Sequence, residues 1–342
     1  MSPTKTLSYR VQFLTPAFLG NAEQSGQWRT PPFKALLRQW WRVAYAADHG
    51  FRVDIADMRH EEGKLFGHAW LDDDRDERGQ KVSARKSLVR MRLEHPNDDH
   101  EKAWLVGTQT GVAPLSNGLE TSYAWFGLIK RGAGQPDRTA IKAADSNEGP
   151  TIETTRRLYI AVPDEYAPKI LEIMRLINAF GLLGSRSRGG WGALRVEDLE
   201  QMRREEISRY ARPLDKCLGH DWPMSLATDD DGLCVWQSNL SFNAWHEAMR
   251  VVAIERRRVR SELKGISGRD LRPALGFATP GRMPSPLRWK IIPSENGKLG
   301  IRVFALPHKL PAESGKSMQA DLLRRAWQVV CNTLDQSPHV TR

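Results

Sequence analysis

The sequence predicts an α+β protein built of two tandem ferredoxin-like units with inserted loops and strands, and three observations predict it. The chain has 342 residues, enough for two domains at ~150 residues each. Apolar periods of 2 and 3.6 follow one another in the order strand, helix, strands, helix, strand, which is a ferredoxin-like unit with a strand or two added. A looser copy of that order fills the last third of the chain. The expected units are residues 1–212 and 213–342, with the region 219–232, holding GHDWP and TDDDG, as the link.

Each element has its own signal. Leu7, Tyr9, Val11 and Phe13 alternate on one face, so 7–14 is a half-buried strand. Thr30 followed by Pro31 starts a helix, because Thr caps and Pro suits the first helical position. Phe33, Leu36, Leu37, Trp40 and Ala44 then share a face up to about Asp48. Strands are expected at 87–93, 123–130 and 156–162. Ile170, Ile173, Met174 and Ile177 mark a second helix, and 193–196 the closing strand. The second unit reads as a strand at 234–242, a helix at 244–260, a hairpin of 287–292 and 300–306 around SENGKLG, and a helix at 321–334. No closing strand is legible before Arg342.

Composition narrows the partner. The net charge is +10, carried by 36 Arg against 15 Lys, and there are 12 Trp. Arg presents a planar fork to phosphate and Trp a stacking face, which favours RNA or DNA over a membrane or a small neutral substrate. The apolar share of 40% excludes a wholly disordered chain. No run of 18 apolar residues is present, so no membrane-spanning helix is expected. The start MSPTKTLSYRVQFLTP lacks the apolar core of a secretory signal, and Cys217, Cys234 and Cys331 form no CxxC pair. A reducing cytoplasmic setting without disulfides, metal or other cofactor is expected. Asp72, Asp73 and Asp74 read as a solvated loop, a divalent-ion site being the weaker alternative.

Three clusters carry candidate chemistry. On the first helix Lys34, Arg38 and Arg42 recur at i+4 beside Trp41 and Tyr45, with Arg29 before the cap. Such a stripe follows a nucleic-acid backbone or is simply a solvated face. The second cluster is GLLGSRSRGGWG at 181–192, where glycines permit an anion nest, Arg186 and Arg188 add charge, and Trp191 adds a stacking or bracing surface. It lacks the GxxxxGK[ST] order of a nucleotide-triphosphate loop. The third is IERRRVRSELKG, with Arg256, Arg257, Arg258 and Arg260. It lies inside 250–290, where eleven cations face three acids, and it suits RNA or the docking of a protein equally. None of the nine histidines forms HExxH or HxH, and no GxSxG elbow occurs.

The stretch VQFLTPAFLGNAEQSGQWRTPPFKALLRQWWRVAYA, followed by LFGHAW, resembles the opening of the RAMP superfamily of CRISPR systems, and within it the first subunits of type III-B Cmr effector complexes. The residues that carry the resemblance are Phe13, Thr15, Pro16, Phe18, Gly20, Arg29, Lys34, Leu36, Leu37, Arg38, Trp40, Trp41, Arg42, Phe66 and Gly67. The glycine-rich loop stands where that superfamily places one. Ala35 and His68 depart from its usual Gly and its usual small Ser or Thr.

The resemblance implies two ferredoxin-like domains in a non-catalytic subunit near the 3′ end of the guide RNA. Such a subunit contacts guide and target RNA and neighbouring RAMP subunits. Arg29, Lys34, Arg38, Arg42, Arg186, Arg188, Arg256 and Arg257 are the expected RNA contacts, with Trp41 or Trp191 stacking or bracing. The rival readings are a metal-independent guide-processing endoribonuclease using His49 as its acid or base, and an assembly subunit that touches no RNA.

Overall fold

The computed structural model describes residues 3–22, 26–69, 71, 74–94, 104–105, 139–143, 154–266, 268–278, 281–311 and 318–342. The strand expected at 123–130, and Asp72 and Asp73 of the acidic run, lie outside the described residues.

The first unit begins with β1 (Thr4–Phe13), whose Tyr9, Val11 and Phe13 share the apolar core with the buried face of α1 (Thr30–Asp48). All five residues of the expected helix stripe, Phe33 to Ala44, are buried. Pro31 sits in the first turn as expected, but the cap is Arg29, in extended backbone at φ −152°, and no side chain caps the helix. The expectation that Thr30 caps is therefore corrected: Thr30 is already helical, and a residue inside the helix has no geometry to accept from the first-turn amides. Helix α2 (Ile55–Phe66) follows, capped by Asp54, whose carboxylate accepts from the amides of Ala56 and Asp57. Next come β2 (Arg90–Leu93), β3 (Thr155–Pro163), α3 (Ala167–Phe180) and β4 (Leu194–Val196). The sheet order β2-β3-β1-β4, antiparallel throughout, is the ferredoxin-like order.

Between the two units, Ala211–Pro213 (β5), Leu226–Asp229 (β6) and Gly232–Leu233 (β7) form a small three-stranded sheet. The expected link at 219–232 is thus partly strand, and within TDDDG the two residues Asp230 and Asp231 turn β6 into β7, with Gly232, at φ +113°, paired to Asp229.

The second unit repeats the plan with β8 (Val235–Ser238), α4 (Trp245–Glu262), β9 (Leu287–Pro293), β10 (Leu299–Ala305), α5 (Ala320–Asp335) and β11 (Val340–Thr341). Its sheet order, β9-β10-β8-β11, matches that of the first. The closing strand that the sequence did not signal is present. It is two residues long, too short for an alternating pattern, and Val340 pairs with Ser238.

One apolar core runs through both units. Trp40 of α1, Phe180 of α3 and Phe304 of β10 have centroids 4.9 to 6.4 Å apart, an aromatic seam across the junction. Beside it, the buried Lys290 ammonium donates to the carbonyls of Ile177 and Asn178 at 3.1 and 2.6 Å, and Arg302 donates to that of Ala179 at 3.0 Å. Cations of the second sheet thereby satisfy the last carbonyls of α3, where the helix dipole is negative.

Candidate nucleic-acid interface

The Thr-Pro segment after β1 and the glycine-rich loop form one structure. The Thr15 hydroxyl donates to the carbonyl of Gly190 at 2.7 Å and accepts from the amide of Ala193 at 2.9 Å. The amides of Ser185 and Gly192 donate to the carbonyls of Phe18 and Pro16. Glycine is required at 192: its φ is +61°, and a Cβ there would stand 1.8 Å from the Leu183 carbonyl oxygen. Arg186 takes the same left-handed conformation at φ +57°, which exposes its side chain at the loop tip.

The loop then reaches the second unit. The Trp289 amide donates to the Arg188 carbonyl at 3.1 Å, bridging Gly189 to β9. Together the loop, α4, the segment 275–285 and β9 enclose a groove of about 900 Å³. Arg186, Arg188, Arg256, Arg260 and Arg282 line it, and no acid is among its lining residues.

Two of the arginines at the groove sit under mutual repulsion. Burial, then Arg282, pushes Arg188 down to about 10. Burial, then Arg188, pushes the 5%-exposed Arg288 beneath it down to about 9. A guanidinium at those values is still cationic at neutral pH, so the shifts register repulsion and lost hydration. The buried Nε of Arg288 has no hydrogen-bond partner among the described residues. His308 is held below its ordinary value chiefly by burial, with Arg188 and Arg288 adding to it. A polyanion bound here would relieve this repulsion.

The expected site residues divide accordingly. Arg186, Arg188 and Arg256 come together in the groove. Arg257, one residue on, is exposed but does not line it. Arg258 turns to Glu255 and to the carbonyls of Thr333 and Gln336. The groove adds Arg260, which the third cluster included, and Arg282, which only the net charge of 250–290 signalled; Arg288 is buried beneath it.

The α1 stripe lies elsewhere. Glu62 of α2, 2% exposed, accepts from Arg38 at 2.5 Å and from Arg42 at 2.7 and 2.8 Å, so these two arginines are held by a carboxylate. Lys34 is depressed by burial and by Arg38, and Arg29 keeps a buried Nε with no partner among the described residues. Neither lines the groove. Trp41 packs against Tyr45 and Phe66, and Trp191 against Phe18 and Trp245. Trp41 is 6% exposed and Trp191 is fully buried, so of the two roles expected for them, stacking or bracing, their burial fits bracing: neither ring offers a free face.

Two further readings meet the geometry. Asp74 is buried, accepts from His68 at 2.6 Å and from Arg85 at 2.5 and 2.9 Å, and is held well below the usual carboxylate range by Arg85 first. A carboxylate so enclosed is a structural anchor, not a metal ligand. His49 stacks on Tyr45 at 4.0 Å with Nδ1 at the Tyr45 carbonyl, and it lines no part of the groove. Among the described residues no helix is long and apolar enough to cross a membrane.

Residues 10–195 match the sequence model of the RAMP superfamily. The fold is similar to that of Cmr1 from Pyrococcus furiosus in its apo form, with a TM-score of 0.50 and 15% identity over 98% of this chain and 98% of that one. Two structures of the type III-B Cmr-beta complex bound to cognate target RNA, one also with AMPPnP in the presence of ssDNA, contain similar chains. Their TM-scores are 0.47 and 0.42 at 10% and 11% identity, covering 94% and 97% of this chain and 99% of each of those. No curated protein sequence matches.

Proposed function

The chain belongs to the RAMP superfamily, and from that premise we propose that it is a non-catalytic RNA-binding subunit of a type III-B CRISPR effector ribonucleoprotein. In this reading it positions the 3′ end of the guide RNA together with the paired target, in the cytoplasm, beside other RAMP subunits. The observation that carries the proposal is the groove: at least five arginines without a lining acid, assembled from both units, on a loop hung from the Thr-Pro segment. A concave cationic surface of that kind tracks a phosphate backbone.

The reading assigns phosphate contacts to Arg186, Arg188, Arg256, Arg260 and Arg282. Arg288 sits below them and reinforces their field. The fold resemblance to Cmr1 supports the placement of such a subunit in a Cmr-type assembly.

Salt dependence of binding tests it. For single-stranded RNA each neutralised phosphate contributes about −0.7 to the slope of log K against log salt. Arg186→Ala with Arg188→Ala is expected to flatten the slope by about 1.4 while the fold is kept. An unchanged slope removes the loop from the RNA site.

A further inference from the structure

The two four-stranded sheets do not present the same faces. Apart from Pro293, every residue of β9 and β10 is buried, because Lys290, Arg302 and Phe304 turn toward α1 and α3 of the first unit. β1, β2 and β3 instead have one side in the core and one side open. The open side carries Arg10, Arg90, Arg92, Arg157, Arg195 and Tyr159. We propose that it is a platform for a single-stranded segment of the RNA that the chain holds, with one base stacked at Tyr159 and phosphates held by the arginines around it. The proposal rests on the RNA-binding reading above and adds a surface that the arginine groove does not include.

Register brings these side chains together. Directly opposed residues of antiparallel strands share a face, and every second residue returns to it. Arg92 of β2 is opposite Tyr159 of β3, which is opposite Ser8 of β1. Arg157 is opposite Arg10, Arg90 is opposite Ala161, and Arg195 of β4 is opposite Gln12. Arg10, Arg90 and Arg92 are exposed, and Arg157, Tyr159 and Arg195 are half-buried.

The charge of the face is unbalanced. Glu197 pairs with Arg10 at 3.3 Å, Glu94 follows β2 on the same side, and Asp198 accepts from the Arg10 amide at the edge. Five arginines against these three acids leave +2. Arg157 stands directly opposite Arg10, a like-charge arrangement that destabilises a sheet, and its guanidinium donates only to the Ser8 hydroxyl at 3.1 Å. Among the described residues the side chains of Arg90 and Arg195 have no partner. A polyanion laid across the strands relieves that arrangement.

Tyr159 selects the kind of polyanion. The Arg92 guanidinium lies 4.7 Å from the centroid of its ring. An aromatic ring and a guanidinium plane are the two protein surfaces on which the bases of single strands stack. An acidic protein surface needs the arginines alone, so the ring favours RNA.

The test uses the full chain and a single-stranded RNA substituted with 4-thiouridine, photo-crosslinked and mapped by mass spectrometry. Crosslinks in residues 90–93 and 155–163 are expected beside those of the groove. RNA that is retained on the chain but crosslinks only at 184–189 and 256–289 overturns the platform and leaves the groove standing. RNA that is not retained at all overturns both. As a second readout, Arg90→Gln with Arg195→Gln is expected to flatten the slope of log K against log salt by about 1.4, the share of two phosphates. Tyr159→Leu is expected to weaken binding about tenfold at an unchanged slope, while Tyr159→Phe, which keeps the ring, binds as the wild type does. Wild-type affinity in Tyr159→Leu, or an unchanged slope in the arginine variant, overturns the proposal and leaves the face to an acidic protein partner.

Discussion

The amide of Trp289 donates to the carbonyl of Arg188 at 3.1 Å, so the arginine loop of the first unit is pinned to the sheet of the second. Two residues 101 positions apart in the chain thereby fix one wall of the groove. Its opposite wall, α4, is held by the same core that buries Trp245 against Trp191. The interface is thus a property of the junction, and neither unit alone would assemble it.

Loop geometry should be sensitive to one glycine. Gly192→Ala forces a Cβ against the Leu183 carbonyl in a left-handed backbone, and a destabilisation of at least about 2 kcal/mol is expected in denaturant unfolding. RNA affinity is expected to fall with it, because the Thr15 anchors at Gly190 and Ala193 flank this position. Wild-type stability in this variant would show that the loop is not so constrained.

Glu62 separates the structural and binding roles of the α1 stripe. Glu62→Gln leaves two guanidinium groups beside a neutral amide. Breaking a buried pair costs ~3–5 kcal/mol, reduced here to about 2 because the arginine side chains are 36% and 40% exposed. If Arg38 and Arg42 also meet phosphate, RNA affinity in this variant rises while stability falls, a pair of changes readable by filter binding and by urea titration.

Acid sensitivity should trace in part to Asp74. Its folded carboxyl titrates below the ordinary 3.8, because Arg85 and then His68 favour the charged form. The stabilisation is therefore complete above the unfolded value and is lost as pH falls from about 5 toward the folded value. Asp74→Asn is expected to be less stable than wild type at pH 7 and to lose less stability between pH 5 and 3. Parallel curves for the two proteins would remove Asp74 from the acid response.

Lys290 gives the same sign in an alkaline window, for the opposite reason: its charged form is disfavoured by folding. Burial first, then Arg302, holds its ammonium well below the ordinary 10.5, so the unfolded chain binds more protons than the folded one at mildly alkaline pH. Its contribution makes stability rise with pH toward the unfolded value. Denaturant unfolding between pH 7 and 9.5 should show that rise in the wild type and a weaker one in Lys290→Met. Equal slopes would mean that Lys290 does not titrate there.

Much of this architecture was legible in the residues. The α1 stripe from Phe33 to Ala44 and the alternation from Leu7 to Phe13 signal burial directly, because each is a periodic pattern longer than four residues. β11 was not, since Val340 and Thr341 are too few to alternate. The α1 cluster misled in a specific way: Trp41 beside Arg38 and Arg42 reads identically whether the ring faces solvent or core, and Glu62, which claims both arginines, lies on another helix. The groove shows the opposite failure. Arg186 and Arg188 were visible in their glycine loop, but their convergence with Arg256, Arg260 and Arg282 depends on contacts across 68 to 96 positions that no local pattern encodes. Of the strongest run of charge, 250–290, α4 and the segment before β9 bring Arg256, Arg260 and Arg282 to the loop.

The most direct test of the central claim is a map of RNA crosslinks on this chain within the reconstituted ribonucleoprotein carrying guide and target RNA. The account predicts crosslinked peptides at 184–189 and at 256–289, the two walls of the arginine groove. Crosslinks confined to the neighbouring subunits, with none on this chain, would contradict it and leave the arginines as a protein-docking surface.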